Sequence, residues 1–378
     1  MKNISDQKKI EYVNIAALVA MASAIGLTVA VNYLPALRDF ISSNIVLDSG
    51  VAELVTALPF IVFCIICGTK VTKEFSIKKM ASGNYILSIV LAFLFRPLLN
   101  FLNMFSLCFT KNALTDSMIT MVNTVPFPLA LISTAVIPAV VEEFICRGVL
   151  YHTYKKANPI RAVFFSSLIF GLLHRNLNQF LYTFVLGIIF CLALEATGSM
   201  VSGVLMHLTI NATAVISAYM LPLLYDFAKA TGELYEQMGM PEMMDMLEQY
   251  MGDMSVGREE WFANLMKVAD TVDISVGFVF VNYLPSAVLF TVLGGLVLKA
   301  MAKNGKNYEH FRVTFLGAEP VAVEKEAKGP YDTETVTVEE PQGDSFLKIM
   351  TVPLLVTLVI GGLFIFVLQT LQMLPRFK

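Results

Sequence analysis

Charge is what this chain has least of. Of its 378 residues only 15% are Asp, Glu, Lys or Arg, against 56% hydrophobic, and mean hydropathy is +0.67. That balance excludes a water-soluble globular domain and fits a polytopic membrane protein. A net charge of -3 gives no basic footprint for nucleic acid. Cysteine is sparse too: Cys64, Cys67, Cys108, Cys146 and Cys191 all lie in or beside apolar runs, which argues against a disulfide framework. Cys64-x-x-Cys67 has the spacing of a redox or zinc motif, but inside an apolar run it reads as two small packing residues. No internal repeat is evident. No small-residue cleavage site stands out near the first apolar run, so it reads as an uncleaved span.

What is present is a series of long apolar runs. They fall at about 15–31, 51–69, 85–108, 128–150, a short 162–174, 180–196, 200–224, 274–302 and 349–373. The fold expected is all-α, a polytopic transmembrane helical bundle of about 8–9 spans with an acidic external insertion. Residues 1–120 supply N-terminal transmembrane helices and 121–224 the core spans carrying the polar motifs. Residues 225–273 form an acidic, Met-rich extracytoplasmic insertion in which Pro241, Met244, Leu247 and Met251 suggest a short amphipathic helix. A transmembrane helix follows at 274–302, then a polar cytoplasmic linker at 303–347 with room for a small hairpin, and a C-terminal span within 348–378. The basic loops Lys70–Lys79, Lys155–Arg161 and Lys303–Arg312 fall on one side. By the positive-inside rule that side, and the N-terminus with it, is cytoplasmic, and the expected location is the plasma membrane. Glu142 then lies in the inner half of its span, 14 residues or about 21 Å from Pro128.

That span carries the stretch around which the reading turns, Val141-Glu142-Glu143-Phe144-Ile145-Cys146-Arg147. A charge in hydrocarbon costs about 2.5–3.5 kcal/mol on insertion scales, so three of them need a reason. On a helix Glu143 and Arg147 are i and i+4 and can pair, while Glu142 points about 100° away and is left free. Pro138, four residues before Glu142, removes an N–H and should kink the helix there. His174 ends the short fifth run, and His207 and Asn211 share one face of the seventh at i, i+4. Simple alternation sets His174 nearer the outer side than Glu142, which a tilted or re-entrant helix would correct. The chemistry suggested is water attack on a peptide carbonyl. Glu142 is the base, His174 positions the water, and His207 with Asn211 steadies the oxyanion. Arg96 and Glu195 read as structural charges.

Glu142-Glu143-x-x-x-Arg147, Phe170-x-x-x-His174 and His207-x-x-x-Asn211 together resemble the three motifs of the CAAX-protease and bacteriocin-processing family of intramembrane proteases. Type II CAAX prenyl endopeptidases belong to that family. Phe170-Gly171-Leu172-Leu173-His174, Leu186-Gly187 and Thr197-Gly198-Ser199-Met200 extend the likeness, which covers about 128–211. The resemblance implies an all-helical membrane enzyme with its site in a cavity open to the cytosol. It also implies that Glu142 with His174 activates water, Glu143 with Arg147 shapes the site, and His207 with Asn211 forms the oxyanion hole. The family is often labelled metalloprotease, or metalloendopeptidase, yet the chain has no His-Glu-x-x-His helix. Metal-independent glutamate catalysis is the preferred expectation, with no cofactor required. Were zinc (Zn) bound, Glu142, His174 and His207 would hold it. The long insertion, the polar linker and the extra C-terminal span depart from the family pattern and leave the substrate open, CAAX-type prenylated or leader-peptide-like. Two other readings compete with a hydrolase acting on membrane-anchored substrates. One is a non-proteolytic immunity or scaffold protein of the same fold. The other is a transporter, which the lack of repeats disfavours.

Overall fold

A computed structural model describes residues 4–42, 45–110, 112, 115–253, 255–271, 274–317 and 349–373. The described chain is all-helical, and eight of its helices are long and apolar enough to cross a membrane. They are α1 (Asp6–Tyr33), α2 (Ile45–Cys67), α3 (Ser82–Leu107), α4 (Phe127–Lys155), α6 (Leu177–Thr197), α7 (Val201–Gln237), α10 (Val276–Asn304) and α12 (Val352–Met373). Between α4 and α6 lies α5 (Pro159–Leu173), a helix of only 15 residues. Its start is set by Asn158, whose side chain accepts from the Arg161 N–H, followed by Pro159 at the first helical position. The expected hairpin in the polar linker lies outside the described residues.

The central helices are buried and the peripheral ones are lipid-facing. Helix α6 is enclosed by α3, α5, α7 and α10, and its Phe190, Cys191, Leu194 and Ala196 are fully buried. Close approach needs small residues here: a Cβ on Gly187 would fall 2.8 Å from Ser167 of α5. On the other flank Tyr154 of α4 hydrogen-bonds Asn14 of α1, whose amide in turn donates to Ile349 and Thr351 at the start of α12. This buried clamp seats the extra C-terminal span on the first one.

One end of the bundle is basic and tightly cross-linked. Lys155 bridges Glu195 of α6 at 2.6 Å, and His310 of α11 (Tyr308–Leu316) binds the same carboxylate at 3.0 Å. The Ser199 hydroxyl donates to the Lys78 carbonyl, and the Asn307 amide donates to that of Ala196. The three basic loops therefore meet on one face, and Glu195 is a structural anchor.

At the opposite end α7 runs 37 residues without a break, so residue 225, where the insertion was expected to begin, lies inside a helix. Neither Pro222 nor Gly232 ends it, and charges begin at Asp226, where the helix leaves the apolar layer. Helices α8 (Pro241–Met251) and α9 (Arg258–Thr271) fold back on that extension. Tyr225, Trp261 and Phe262 form a small core with Leu247 and Met251 against it. The Trp261 indole donates to the Met251 carbonyl, and Tyr225 donates to that of Val256.

Candidate active site

Helix α4 is not a uniform α-helix. Ile132–Val136 and Phe144–Tyr151 are π-helical, and the two wide turns flank the adjacent glutamates. π-helical turns are frequent at functional sites. Pro138 follows the first of them, and its missing N–H leaves the Thr134 carbonyl without its i+4 donor. The Asn211 amide donates to that carbonyl at 3.2 Å. Fifteen residues separate Glu142 from Phe127 and 13 separate it from Lys155, so Glu142 stands near the middle of its span, just on the Lys155 side.

Glu143 and Glu142 part company completely. Glu143 is fully buried and receives Arg147 Nη1 at 2.8 Å, as the i, i+4 spacing requires. The same guanidinium donates from Nη2 to the Gly187 carbonyl at 3.1 Å and lies between the faces of Phe170 and Phe190, 4.6 and 4.9 Å from their centroids. Gly203 makes room for this group, since a Cβ there would sit 2.6 Å from Glu143 Oε2. His207 closes the corner with Nδ1 3.3 Å from Glu143 Oε1. Its Nε2 lies 3.6 Å from Glu142 Oε2, beyond hydrogen-bond distance.

The side chain of Glu142 is 22% exposed and faces a cavity of about 180 Å³. His174 lines the same cavity. Its Nδ1 meets the Phe170 carbonyl at 2.9 Å, so Nδ1 carries the proton and Nε2 is the acceptor. The depth difficulty is resolved by helix length. At 1.5 Å per residue, α5 rises about 22 Å from the basic end and Glu142 lies about 20 Å from it. The helix stops where the acid is.

His207 and Asn211 do not line this cavity. They project from one face of α7 as the spacing requires, His207 against both glutamates and Asn211 onto Thr134. Three residues that the sequence analysis passed over do bear on it. Glu53 of α2 and Arg175, next to His174, both line it, and Asp48 is one turn before Glu53 and close enough to act electrostatically on Arg175. Intramembrane acids are site candidates by default, and Glu53 was the missed signal inside an otherwise apolar run. On the basic side the cavity is closed by Ile145, Cys146 and Phe170. On the far side polar groups lead away through Glu53 and Arg175 toward Asp48. That course runs opposite to a cavity opening among the basic loops.

The residues expected to hold zinc do not form a ligand set: among the described residues no group of three or more His, Cys, Asp or Glu side chains is placed to hold a metal ion. Arg96 is half-buried in α3 and makes no ion pair among the described residues.

A family model described as "Type II CAAX prenyl endopeptidase Rce1-like" matches residues 124–213. No curated protein and no solved structure matches the chain. The matched segment runs from the foot of α4 to just past Asn211 and so holds all three motifs, together with the buried Glu143–Arg147–His207 corner and the Glu142–His174 cavity. Over that segment, about a quarter of the chain, the sequence is similar to type II CAAX prenyl endopeptidases, which belong to the CAAX-protease and bacteriocin-processing family of intramembrane proteases.

Proposed function

We propose that this integral membrane protein is an endopeptidase that hydrolyses peptide bonds of membrane-anchored substrates, with Glu142 as general base and no metal. The observation that carries the reading is the pairing in one cavity of a partly exposed carboxylate with a histidine whose acceptor nitrogen is fixed by its own backbone. In this scheme a water lies between Glu142 and His174 Nε2. Glu142 takes one proton as the oxygen attacks the carbonyl carbon, and the π electrons move onto the carbonyl oxygen. Glu142 then returns the proton to the departing amide nitrogen as the C–N bond breaks. The second amide hydrogen of Asn211, and His207 Nε2 in the doubly protonated ring, are the donors nearest to hand for the oxyanion. Glu143 and Arg147 shape the site from behind.

With the basic loops cytoplasmic, the N-terminus is cytoplasmic as well, and the polar course from Glu142 through Glu53 leads to the other face. That sidedness favours leader-peptide-like or other membrane-anchored segments presented from the outer half over a cytosolic prenylated tail. One observation favours the alternative of a non-proteolytic immunity or scaffold protein: His207 and Asn211 are already engaged within the protein and do not face the cavity.

The test is cleavage by the purified protein in liposomes of prenylated CAAX peptides and membrane-tethered leader peptides. Wild type, Glu142→Gln and His174→Ala are each assayed with and without a chelator. Cleavage that survives chelation and disappears in Glu142→Gln supports the reading. Loss on chelation with recovery on added zinc replaces it with metal-dependent hydrolysis. Silence of the wild type, with Glu142→Gln retaining its cellular phenotype, establishes the scaffold alternative.

A further inference from the structure

One carboxyl outside the family segment stands against the proposed base. Glu53 lies on α2, about 70 residues ahead of the matched stretch, in a run that is otherwise apolar from Val51 to Cys67 apart from Thr56. Its side chain lines the cavity shared by Glu142 and His174 and stands close enough to the Glu142 carboxyl to act on it electrostatically. An ionised carboxylate only accepts hydrogen bonds, so two carboxyls facing one small cavity can bond to each other only if one of them keeps its proton. The pair then carries a single negative charge, which suits a site with little water around it better than two.

The geometry also shows what Glu142 would do without this partner. Glu142 Oε2 is buried, and no N–H or O–H donor reaches it. His207 Nε2 stands 3.6 Å from it and could donate only from the doubly protonated ring. A small rotation would close that gap and turn the carboxyl out of the cavity, away from His174. Opposing such a rotation requires a bond from the α2 side. Packing alone does not account for an acid here, because leucine would fill the space without the cost of a polar group in hydrocarbon. Arg175 stands on the same side. Its backbone is held at φ 53°, a conformation unusual for a residue with a side chain, and its guanidinium lines the cavity without an ion pair among the described residues.

We propose that Glu53 is a positioning residue for hydrolysis at Glu142: its protonated carboxyl donates to one oxygen of Glu142 and keeps the other turned toward the attacking water. The inference rests on the endopeptidase reading for its reaction, but not for the carboxyl pair itself. Protons balance through the cycle. The pair holds one proton at rest and two after Glu142 takes one from water. It returns to one when the leaving nitrogen is protonated, so the Glu53 proton is never consumed.

Two variants separate the donor from the volume. Glu53→Gln retains an N–H donor without titrating, and Glu53→Leu retains bulk without a donor. Glu53→Gln is expected to keep kcat close to wild type, whereas Glu53→Leu loses about 10²-fold in kcat with KM unchanged, the size of effect a misplaced catalytic group produces. A fall in Glu53→Gln as deep as that in Glu53→Leu would overturn the proposal, as would wild-type kcat in Glu53→Leu. Infrared difference spectra give a readout that needs no turnover. The C=O stretch of a protonated carboxyl should be present in wild type and absent from both variants, and its persistence in Glu53→Leu would refute the pair. Should wild type cleave nothing, the endopeptidase reading fails on its own while the infrared band still decides the pair.

Discussion

Glu142 and Glu143 are neighbours in sequence and opposites in environment. Around Glu143 the interior is closed: a guanidinium at 2.8 Å and an imidazole at 3.3 Å both meet Oε1, while Oε2 is buried without a partner in the space left by a glycine. Around Glu142 there is a cavity, one buried oxygen that no N–H or O–H donor reaches, and a second carboxyl. The difference teaches how a membrane protein can hold several charges at mid-depth. One corner is fully buried and held by an ion pair with a clamped guanidinium, and it serves as the support from which a partly exposed neighbour faces the cavity.

The comparison can be broken most severely from the closed side. Arg147→Ala would leave Glu143 buried without its cation, and thermal unfolding in detergent should show a loss of about 3–5 kcal/mol. Glu142→Gln should do the reverse. It should leave the melting temperature nearly unchanged while cleavage in liposomes falls by about 10²–10⁴-fold, the range of general-base catalysis. If the two variants lowered stability equally, the division into a support and a working acid would be wrong. A finer cut is Gly203→Ala, which drives a methyl group into Glu143 Oε2 and should cost about 1–3 kcal/mol by overpacking. Measured by the same melt, it should also lower kcat by tilting the corner. The smallest effect sharpens the contrast from outside it. Lys156→Ala removes an exposed pair with Asp6 at 2.9 Å and should change stability by less than about 1 kcal/mol.

Much of this arrangement was legible in the sequence because intramembrane charge is so conspicuous. The span count, the clustering of basic loops, the Glu143–Arg147 pair and the freedom of Glu142 all follow from hydropathy and i, i+4 spacing. Other features depend on information that a periodic pattern does not carry. His174 reaches the depth of Glu142 because α5 is short, and the sequence gives its stop no glycine or proline. Glu53 lies about 90 residues from Glu142, and nothing in local spacing ties it to that partner. The engagement of Asn211 with Thr134 depends on Pro138 having vacated that carbonyl, a link between two helices that only packing reveals. The continuation of α7 beyond Pro222 shows the same limit. An acidic, Met-rich composition suggested a boundary where the helix simply emerges from the apolar layer.

The wide turn at Phe144–Tyr151 has a further consequence, one of phase. An α-helix advances about 100° per residue, and a π-helical turn takes in an extra residue before facing the same way. The stretch ahead of Phe144 and the stretch after Tyr151 are therefore out of step with any single helical wheel drawn across α4, yet Glu143 and Tyr154 both reach their interior partners. Removing one residue within the turn would let it tighten to α-geometry with both flanks still facing as they do. An added residue elsewhere in α4 would rotate one flank away from its partners. This span should therefore tolerate loss of a residue at its wide turns, Ile132–Val136 and Phe144–Tyr151, and not elsewhere.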